Sequence, residues 1–427
     1  MANFNRVPQR AEWTERRLID LAAFDKGHVV ACQPDPVTGS RPYIGADSFT
    51  GAFKQFTTDP VAVLCEPTDV LMLWDGERSG LCATGLCGAI GSTVARLRPK
   101  SGTDGRFLYH QLARHFAWIQ ARRTGTGIPH VPKDIGNTLF LLFPTDPAEQ
   151  SRIAAILDTV DEAIAKTEAV IAKLKQVRAG LLHDLLTRGL DENGQLRDPI
   201  AHPEQFQDSL IGRIPLAWEV FSLEELLDRV PNALRSGPFG SALLKQELKE
   251  SGIPLLGIDN VHVEHFVTDY RRFVSHEKFL ELKRYAIRPL DVMITVMGTV
   301  GRCCVVPDFV GTALSSKHVW TITFDRKRYS PHLACWQMNY APWILRQLRR
   351  DEQGGVMTAI RSETLRNLLF PVPSLSEIQA IEVLLQNSTN QICAEKALMP
   401  KLVALKSALM TDLLTGRVRA LADLEFG

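Results

Sequence analysis

Residues Glu149 to Thr187 read EQSRIAAILDTVDEAIAKTEAVIAKLKQVRAGLLHDLLT, and residues Glu377 to Thr415 read EIQAIEVLLQNSTNQICAEKALMPKLVALKSALMTDLLT. The two stretches align without a gap at an offset of 228 residues. Twelve positions are identical, including the helix-opening Glu149/Glu377 and the closing run Asp184-Leu-Leu-Thr187/Asp412-Leu-Leu-Thr415. Apolar residues recur in alternating steps of three and four, the spacing of helices that pack along one seam. That seam is Ile153, Leu157, Ile164, Leu174 and Leu181 in the first copy and Ile381, Leu385, Ile392, Leu402 and Leu409 in the second. Arg178 and Lys406 intrude on it at matching positions. About 40 residues at 1.5 Å each make a rod of about 60 Å, too long for an ordinary core helix. Pro400 lacks the backbone donor, which predicts a kink or a split in the second rod.

The repeat extends outward from the rods. One globular stretch opens at Trp13 and the other at Trp218, each with a Trp, a short turn and an amphipathic segment. Pro-Tyr-Ile-Gly-Ala-Asp47 answers Pro-Leu-Leu-Gly-Ile-Asp259, and Pro-Thr-Asp-Val-Leu-Met72 answers Pro-Leu-Asp-Val-Met-Ile294. In the second of these pairs Pro and Asp mark a turn, and the apolar run behind them reads as a buried strand. Gly-rich loops close each stretch, at Thr124-Gly-Thr-Gly127 and at Gly354-Gly355. The acidic segment Gly189 to Pro215 reads as a linker. The expected blocks are residues 1–144, a helix over 145–188, a linker over 189–215, residues 216–372, a second helix over 373–417 and a tail over 418–427. A globular unit and a rod, each present twice, make a pseudo-twofold chain, and such chains suit a partner that is itself two-sided.

At 427 residues, two to three domains with sizeable cores are expected. The N-terminus lacks the apolar core of a signal peptide, so a cytoplasmic protein is expected. The eight cysteines form no CxxC pair and no zinc spacing, which reads as small buried hydrophobes. Net charge is only +1, but its distribution is uneven. Residues 1–140 carry 16 basic and 13 acidic side chains, and residues 216–370 carry 20 and 17. A basic excess confined to the two globular stretches is compatible with local phosphate-binding patches.

The chemistry of an enzyme is missing from the sequence. It has no phosphate-binding Gly-x-x-x-x-Gly-Lys-[Ser/Thr] loop, no amino-methyltransferase [Asn/Asp/Ser]-Pro-Pro-[Tyr/Phe] tetrapeptide and no His-Glu-x-x-His. Gly125 and Gly127 form a Gly-x-Gly, but Pro129 and Pro132 follow where a helix should start. The expectation is a chain that binds rather than reacts.

The ordered set of landmarks resembles the specificity subunit of Type I restriction–modification systems. Its carriers are Leu73-Trp-Asp-Gly76, Gly88-Ala-Ile-Gly-Ser-Thr93, Pro147-Ala-Glu-Gln-Ser-Arg-Ile-Ala-Ala-Ile-Leu157, Phe206-Gln-Asp-Ser-Leu-Ile-Gly-Arg-Ile-Pro-Leu-Ala-Trp218 and Arg235-Ser-Gly-Pro-Phe-Gly-Ser241. The resemblance implies a mixed α+β chain: two globular α/β target-recognition domains with pseudo-twofold symmetry, separated by two long antiparallel helices as a coiled-coil spacer. It implies that each domain reads half of a bipartite site on double-stranded DNA. The helices would dock two modification (methyltransferase) subunits and, through them, the restriction (motor) subunits. No cofactor is expected on this chain; S-adenosylmethionine, ATP and Mg would sit on those partners. Two departures stand out. Asp25-Lys-Gly-His28 occupies the place of the Arg-Ser-Gly-Pro-Phe-Gly pattern in the first domain, and Pro400 interrupts the second helix. The rival readings are a standalone methyltransferase or nuclease with embedded recognition domains, and a coiled-coil protein scaffold.

Base reading needs donors on loops, with further cations on phosphates. The candidates are Lys54, Arg78, Arg122, Arg123 and His130 in the first domain and Arg235, Lys245, Arg302, Lys317, His318 and Arg361 in the second. The alternative for each is a solvated surface charge. Arg235 is favoured because Gly237 and Gly240 permit close backbone approach. Trp74 ends an apolar strand and reads as core before it reads as a stacking platform.

Overall fold

The computed structural model describes residues 12–125, 127–296, 300–350 and 360–420. Gly354-Gly355 therefore lies outside the described residues, as does Thr126 of the first Gly-rich loop. Contacts divide the chain into two compact units, one formed by Met1–Val170 with Glu395–Gly427 and the other by Ile171–Ala394. Each unit takes one half of each long helix. The helices span Pro147–Thr187 and Leu375–Leu413. The second runs through Pro400 as one helix, so the expected split does not occur. Pro400 is exposed, which leaves the carbonyl it cannot satisfy open to water.

The first unit holds a four-stranded antiparallel sheet in the order Ala22–Lys26, Val94–Pro99, Val70–Leu73, Cys82–Ala83. A second sheet pairs Arg41–Ile44 in parallel with Gly88–Ile90, and strand Trp13–Arg17 pairs with Phe140–Pro144. The second unit repeats this plan. Its four-stranded antiparallel sheet runs Leu234–Ser236, Val319–Ile322, Val292–Thr295, Cys303–Val305. Ile253–Leu256 pairs in parallel with Leu314–Ser315, and Glu219–Ser222 pairs with Leu369–Val372. Asp25 faces Arg96 in one ladder as Arg235 faces Thr321 in the other, so Asp25-Lys-Gly-His28 and Arg235-Ser-Gly-Pro238 are structural equivalents. The glycine shows why. A Cβ on Gly27 would lie 2.3 Å from the Gly91 carbonyl oxygen, and one on Gly237 would lie 2.1 Å from that of Ser315.

The paired Pro-x-Asp landmarks form the same turn. The Asp69 carboxylate accepts from the Glu66 amide at 2.9 Å, and that of Asp291 accepts from the Arg288 amide at 2.7 Å. The strands that follow, Val70–Leu73 and Val292–Thr295, are buried at every position. Both aspartates are buried and each needs a cation. Arg98 supplies it in the first unit, at 2.9 Å, and Arg235 in the second.

Within each unit the two helix segments run antiparallel. In the first, Asp161 meets Lys406, and Leu413 and Leu414 join the core of Trp13, Phe107, Ile153 and Leu157. In the second, Arg178 meets Thr389, while Leu185 and Leu186 join Trp218, Phe370, Ile381 and Leu385. All ten seam candidates are buried or half-buried.

The helix ends share one device. Asp146 and Ser374 cap the two helices, their side chains accepting from the Ala148 and Glu377 amides. The glutamate in each first turn then turns inward, where the positive end of the helix favours a carboxylate. Glu377 accepts from Arg197 at 2.7 and 3.1 Å, from Trp218 Nε1 at 3.0 Å and from the Leu190 amide at 2.8 Å. Glu149 accepts from Arg419 at 2.6 and 2.8 Å. Both tryptophans lie against a glycine of left-handed backbone just past a helix end, Gly416 for Trp13 and Gly189 for Trp218. Gly189 to Pro215 is accordingly more ordered than a bare crossing, with a hairpin of Phe206–Ser209 and Gly212–Pro215 behind Arg197.

Replacing Glu377 by Ala leaves Arg197 buried without its counter-ion. Denaturant melts should show a loss of about 3–5 kcal/mol, the usual cost of breaking a buried pair from one side. Acid acts on the first unit through His110. Burial holds this histidine and His115 below the ordinary imidazole pKa, with Asp158 only partly opposing the effect at His110. The neutral ring can keep its bond to Asp158, 2.7 Å away, by donating from Nε2–H, so the fold does not need the charge. A folded pKa below the unfolded one means that this stability is complete above about pH 6.5 and is lost as pH falls further. Thermal melts should fall across that window, and less steeply for His110→Gln.

Candidate nucleic-acid interface

In the first unit, two loops meet at the end of the four-stranded sheet. The Gly76 amide donates to the Pro129 carbonyl at 2.8 Å, and the Val131 amide to the Trp74 carbonyl at 2.9 Å. This brings Arg78, Arg122, Arg123 and His130 onto one pair of adjoining loops. Asp75 stands between, accepting from His130 Nδ1 at 2.6 Å and pairing with Lys26 at 2.9 Å. Arg123 donates to the carbonyls of Gln120 and Glu77. Arg122 is exposed, with its guanidinium carbon 3.9 Å from the Trp118 ring centroid, a contact that holds its charge at the surface. Arg78 reaches the Ala46 carbonyl at 3.2 Å beside Asp47. Lys54 is exposed on the segment before Phe56, with no side-chain bond to another described residue. Trp74 is half-buried and packs edge-on against Phe24, as core.

The second unit builds its cluster at the same end of the equivalent sheet. The Val296 amide donates to the His318 carbonyl as the Trp74 amide donates to that of Thr93. Lys317 is exposed, and its carbonyl accepts from Ser236 Oγ at 3.3 Å. Arg302 leaves a turn closed by its own amide on Thr295 Oγ1 at 3.0 Å. His318 is half-buried; burial lowers its pKa, and the charges of Lys317 and Arg272 push the same way. Arg302, Lys317 and His318 are therefore neighbours. Lys245 and Arg361 are exposed, and no side-chain bond among the described residues ties either to this cluster.

Arg235 is the correction. Its residue is 4 % exposed. Its guanidinium donates to Asp291, to the carbonyls of Ala286 at 2.9 Å and Asn232 at 3.1 Å, and to Thr323 Oγ1 at 3.0 Å. Burial lowers the pKa of Arg235 and raises that of Asp291, and each charge offsets part of the cost for the other. Four of its five N–H donors are taken inside the domain, and burial keeps the guanidinium from a base. Gly237 beside it serves strand-to-turn packing, and its strand position carried no sign of a buried acid 56 residues away. Two cations escaped the sequence reading. Lys26 became visible only through Asp75, and Arg272 only through Asp259 and His318.

Residues 10–176 match the family described as "Type I restriction modification DNA specificity domain". The chain is 26 % identical over 424 residues to the MjaVIII specificity subunit of Methanocaldococcus jannaschii, covering 97 % of this chain and 94 % of that protein. It is 24 % identical over 386 residues to the EcoBI specificity subunit of Escherichia coli, covering 84 % and 79 %. Residues 10–176 thus carry the match to a Type I restriction modification DNA specificity domain, and the chain along its length is similar to Type I specificity subunits. Its fold agrees with the crystal structure of a Type I S subunit from M. genitalium, at a TM-score of 0.59 and 16 % identity over 97 % of this chain and 98 % of that one. A chain from a structural study of complex assembly and conformational transition in a type I R-M system matches at 0.55, with 19 % identity over 96 % and 99 %.

The geometry sorts the cations of these loops into two kinds. Those spent inside hold the domain, and those left at the surface are open to an anionic ligand. Among the described residues no helix is long and apolar enough to cross a membrane, and no group of three or more His, Cys, Asp or Glu side chains is placed to hold a metal ion. Lys317→Ala should leave the melting profile unchanged while flattening the slope of log binding constant against log salt by about 0.9, the loss of one phosphate contact. Arg235→Ala should instead cost about 3–5 kcal/mol of stability by stranding buried Asp291.

Proposed function

We propose that this chain is a specificity subunit that recognises a bipartite duplex site, with residues 1–144 and 216–372 as two target-recognition domains reading one half-site each. The observation that carries this reading is the repetition of one sheet, in one strand order, with an exposed cation cluster at the same end of each copy. Two readers of the same construction suit a duplex, whose half-sites about one turn apart require two attachment points at a spacing of about 34 Å. The different side chains on the equivalent loops would give the two half-sites different sequences. Arg122, Arg123, Arg78 and His130 would serve one half, and Arg302, Lys317 and His318 the other.

The helices over 145–188 and 373–417 would act as spacer and as docking faces for two modification subunits, with restriction subunits joining through them. Methyl transfer from S-adenosylmethionine, and ATP- and Mg-dependent translocation and cleavage, would belong to those partners in the cytoplasm. This chain would contribute recognition and no chemistry.

Selection from random duplexes with the full chain and its modification subunits should return two conserved blocks at one fixed separation. Arg122→Ala with Arg123→Ala should relax base preference in one block, and Arg302→Ala with Lys317→Ala in the other. A single continuous block, or methyl transfer by the purified chain alone, would overturn the reading.

A further inference from the structure

Arg178 interrupts the apolar seam of the first long helix, and the second unit shows what it holds. Its guanidinium donates to both carboxylate oxygens of Glu264, one at 3.0 Å, and to Thr389 Oγ1 of the second helix at 3.0 Å. Glu264 lies in the tight turn between strands Val261–His262 and His265–Phe266 of the recognition domain. Its carboxylate also accepts from Trp336 Nε1 at 2.7 Å and from the Tyr340 hydroxyl, both on helix Pro331–Tyr340. Both charged side chains are largely buried, at 13 % and 19 % exposure. The Glu264 backbone is left-handed, at φ 57°, a conformation that residues with a Cβ adopt where their surroundings over-determine it. Its amide donates to the Cys303 carbonyl at 2.9 Å, one residue from Arg302 in the cation cluster. A short chain of bonds thus runs from both helices to the sheet that presents the second set of cations.

We propose that Arg178 and Glu264 are positioning residues that set the angle at which the second recognition domain stands on the helix pair, and through that angle the one gap length accepted between half-sites. The proposal rests on the bipartite reading above. The repeat partner of Arg178 does not do the same work. Lys406 pairs with Asp161, so both of its ends lie on the helices, and the first domain is tied to its helix by Arg106 and His110 on Asp158 instead. The lock belongs to the second domain. Geometry makes it matter for spacing, because one added base pair moves the distant half-site by about 3.4 Å and turns it by about 35°. A domain tied to the helices through a carboxylate that four donors fix in a partly buried site cannot follow that turn, whereas a loosened one can.

The test is selection from random duplexes with the full chain and its modification subunits, comparing wild type with Arg178→Ala, Glu264→Gln and Tyr340→Phe. The variants should recover the same bases in both blocks, while the preference for the chosen gap over gaps one base pair longer or shorter falls about fivefold or more. Lys166→Ala, which removes an exposed pair on the same helix, should keep the wild-type gap. Should Arg178→Ala fail to fold, Glu264→Gln and Tyr340→Phe, which keep side-chain volume, carry the comparison. An unchanged gap preference in folded variants overturns this proposal and leaves the bipartite reading standing. A wild type that selects no split site overturns both.

Discussion

Each unit depends on a carboxylate buried at the start of a long helix and held by an arginine arriving from beyond the end of the other helix. Glu149 with Arg419, and Glu377 with Arg197, close the two units in the same way. The glutamate is costly to bury and cannot be left alone, so its donors must be in place whenever the core is. In both units that requirement ties the helix start to the segment after the other helix's end, and in the second it also holds the tryptophan that opens the domain. The pairing is repeated but not copied. Glu377 takes a fourth donor from Trp218 Nε1, whereas Trp13 Nε1 is buried without a partner among the described residues.

The same logic of fixed role and exchanged partner governs the recognition sheets. A buried aspartate follows the proline turn in both, yet Arg98 neutralises one and Arg235 the other, from different strands. The duplicated backbone thus preserves the charge that must be satisfied and leaves open which cation satisfies it. This freedom suits the surface. With the internal acids answered, the cations that remain at the sheet end are set by the loops, and the two domains carry different sets. On the proposed bipartite reading, constant packing with variable loop donors would let two readers of one construction address two different half-sites.

The interior charges also explain why composition alone is a poor guide to a DNA-binding face. The second domain is basic overall, but its Arg235 is engaged with buried Asp291, just as Arg178 of the first helix and Arg197 of the linker are engaged with Glu264 and Glu377. On the proposed reading, what would meet a duplex is the remainder, among it Arg122 beside Trp118 and Lys317 at its exposed turn.

The sequence by itself determined the duplication, the two long helices, the seam residues that line them and the paired turns, because each is written in local spacing. Apolar period, proline, glycine and capping residues act within a few positions of themselves, and their meaning does not depend on what lies across the fold. It also determined which family the chain resembles, through an ordered set of such local features. Only the tertiary structure decided which arginines are free. Arg235 looked like a loop donor beside two glycines and proved to be the counter-ion of Asp291, while Arg178 looked like a defect in a seam and proved to hold Glu264. Pro400 looked like a break, and the helix continues through it because the face it interrupts is open to solvent. The reason is the same in each case. Whether a charge or a missing donor is tolerated depends on its surroundings, and those are supplied by segments far away in the chain.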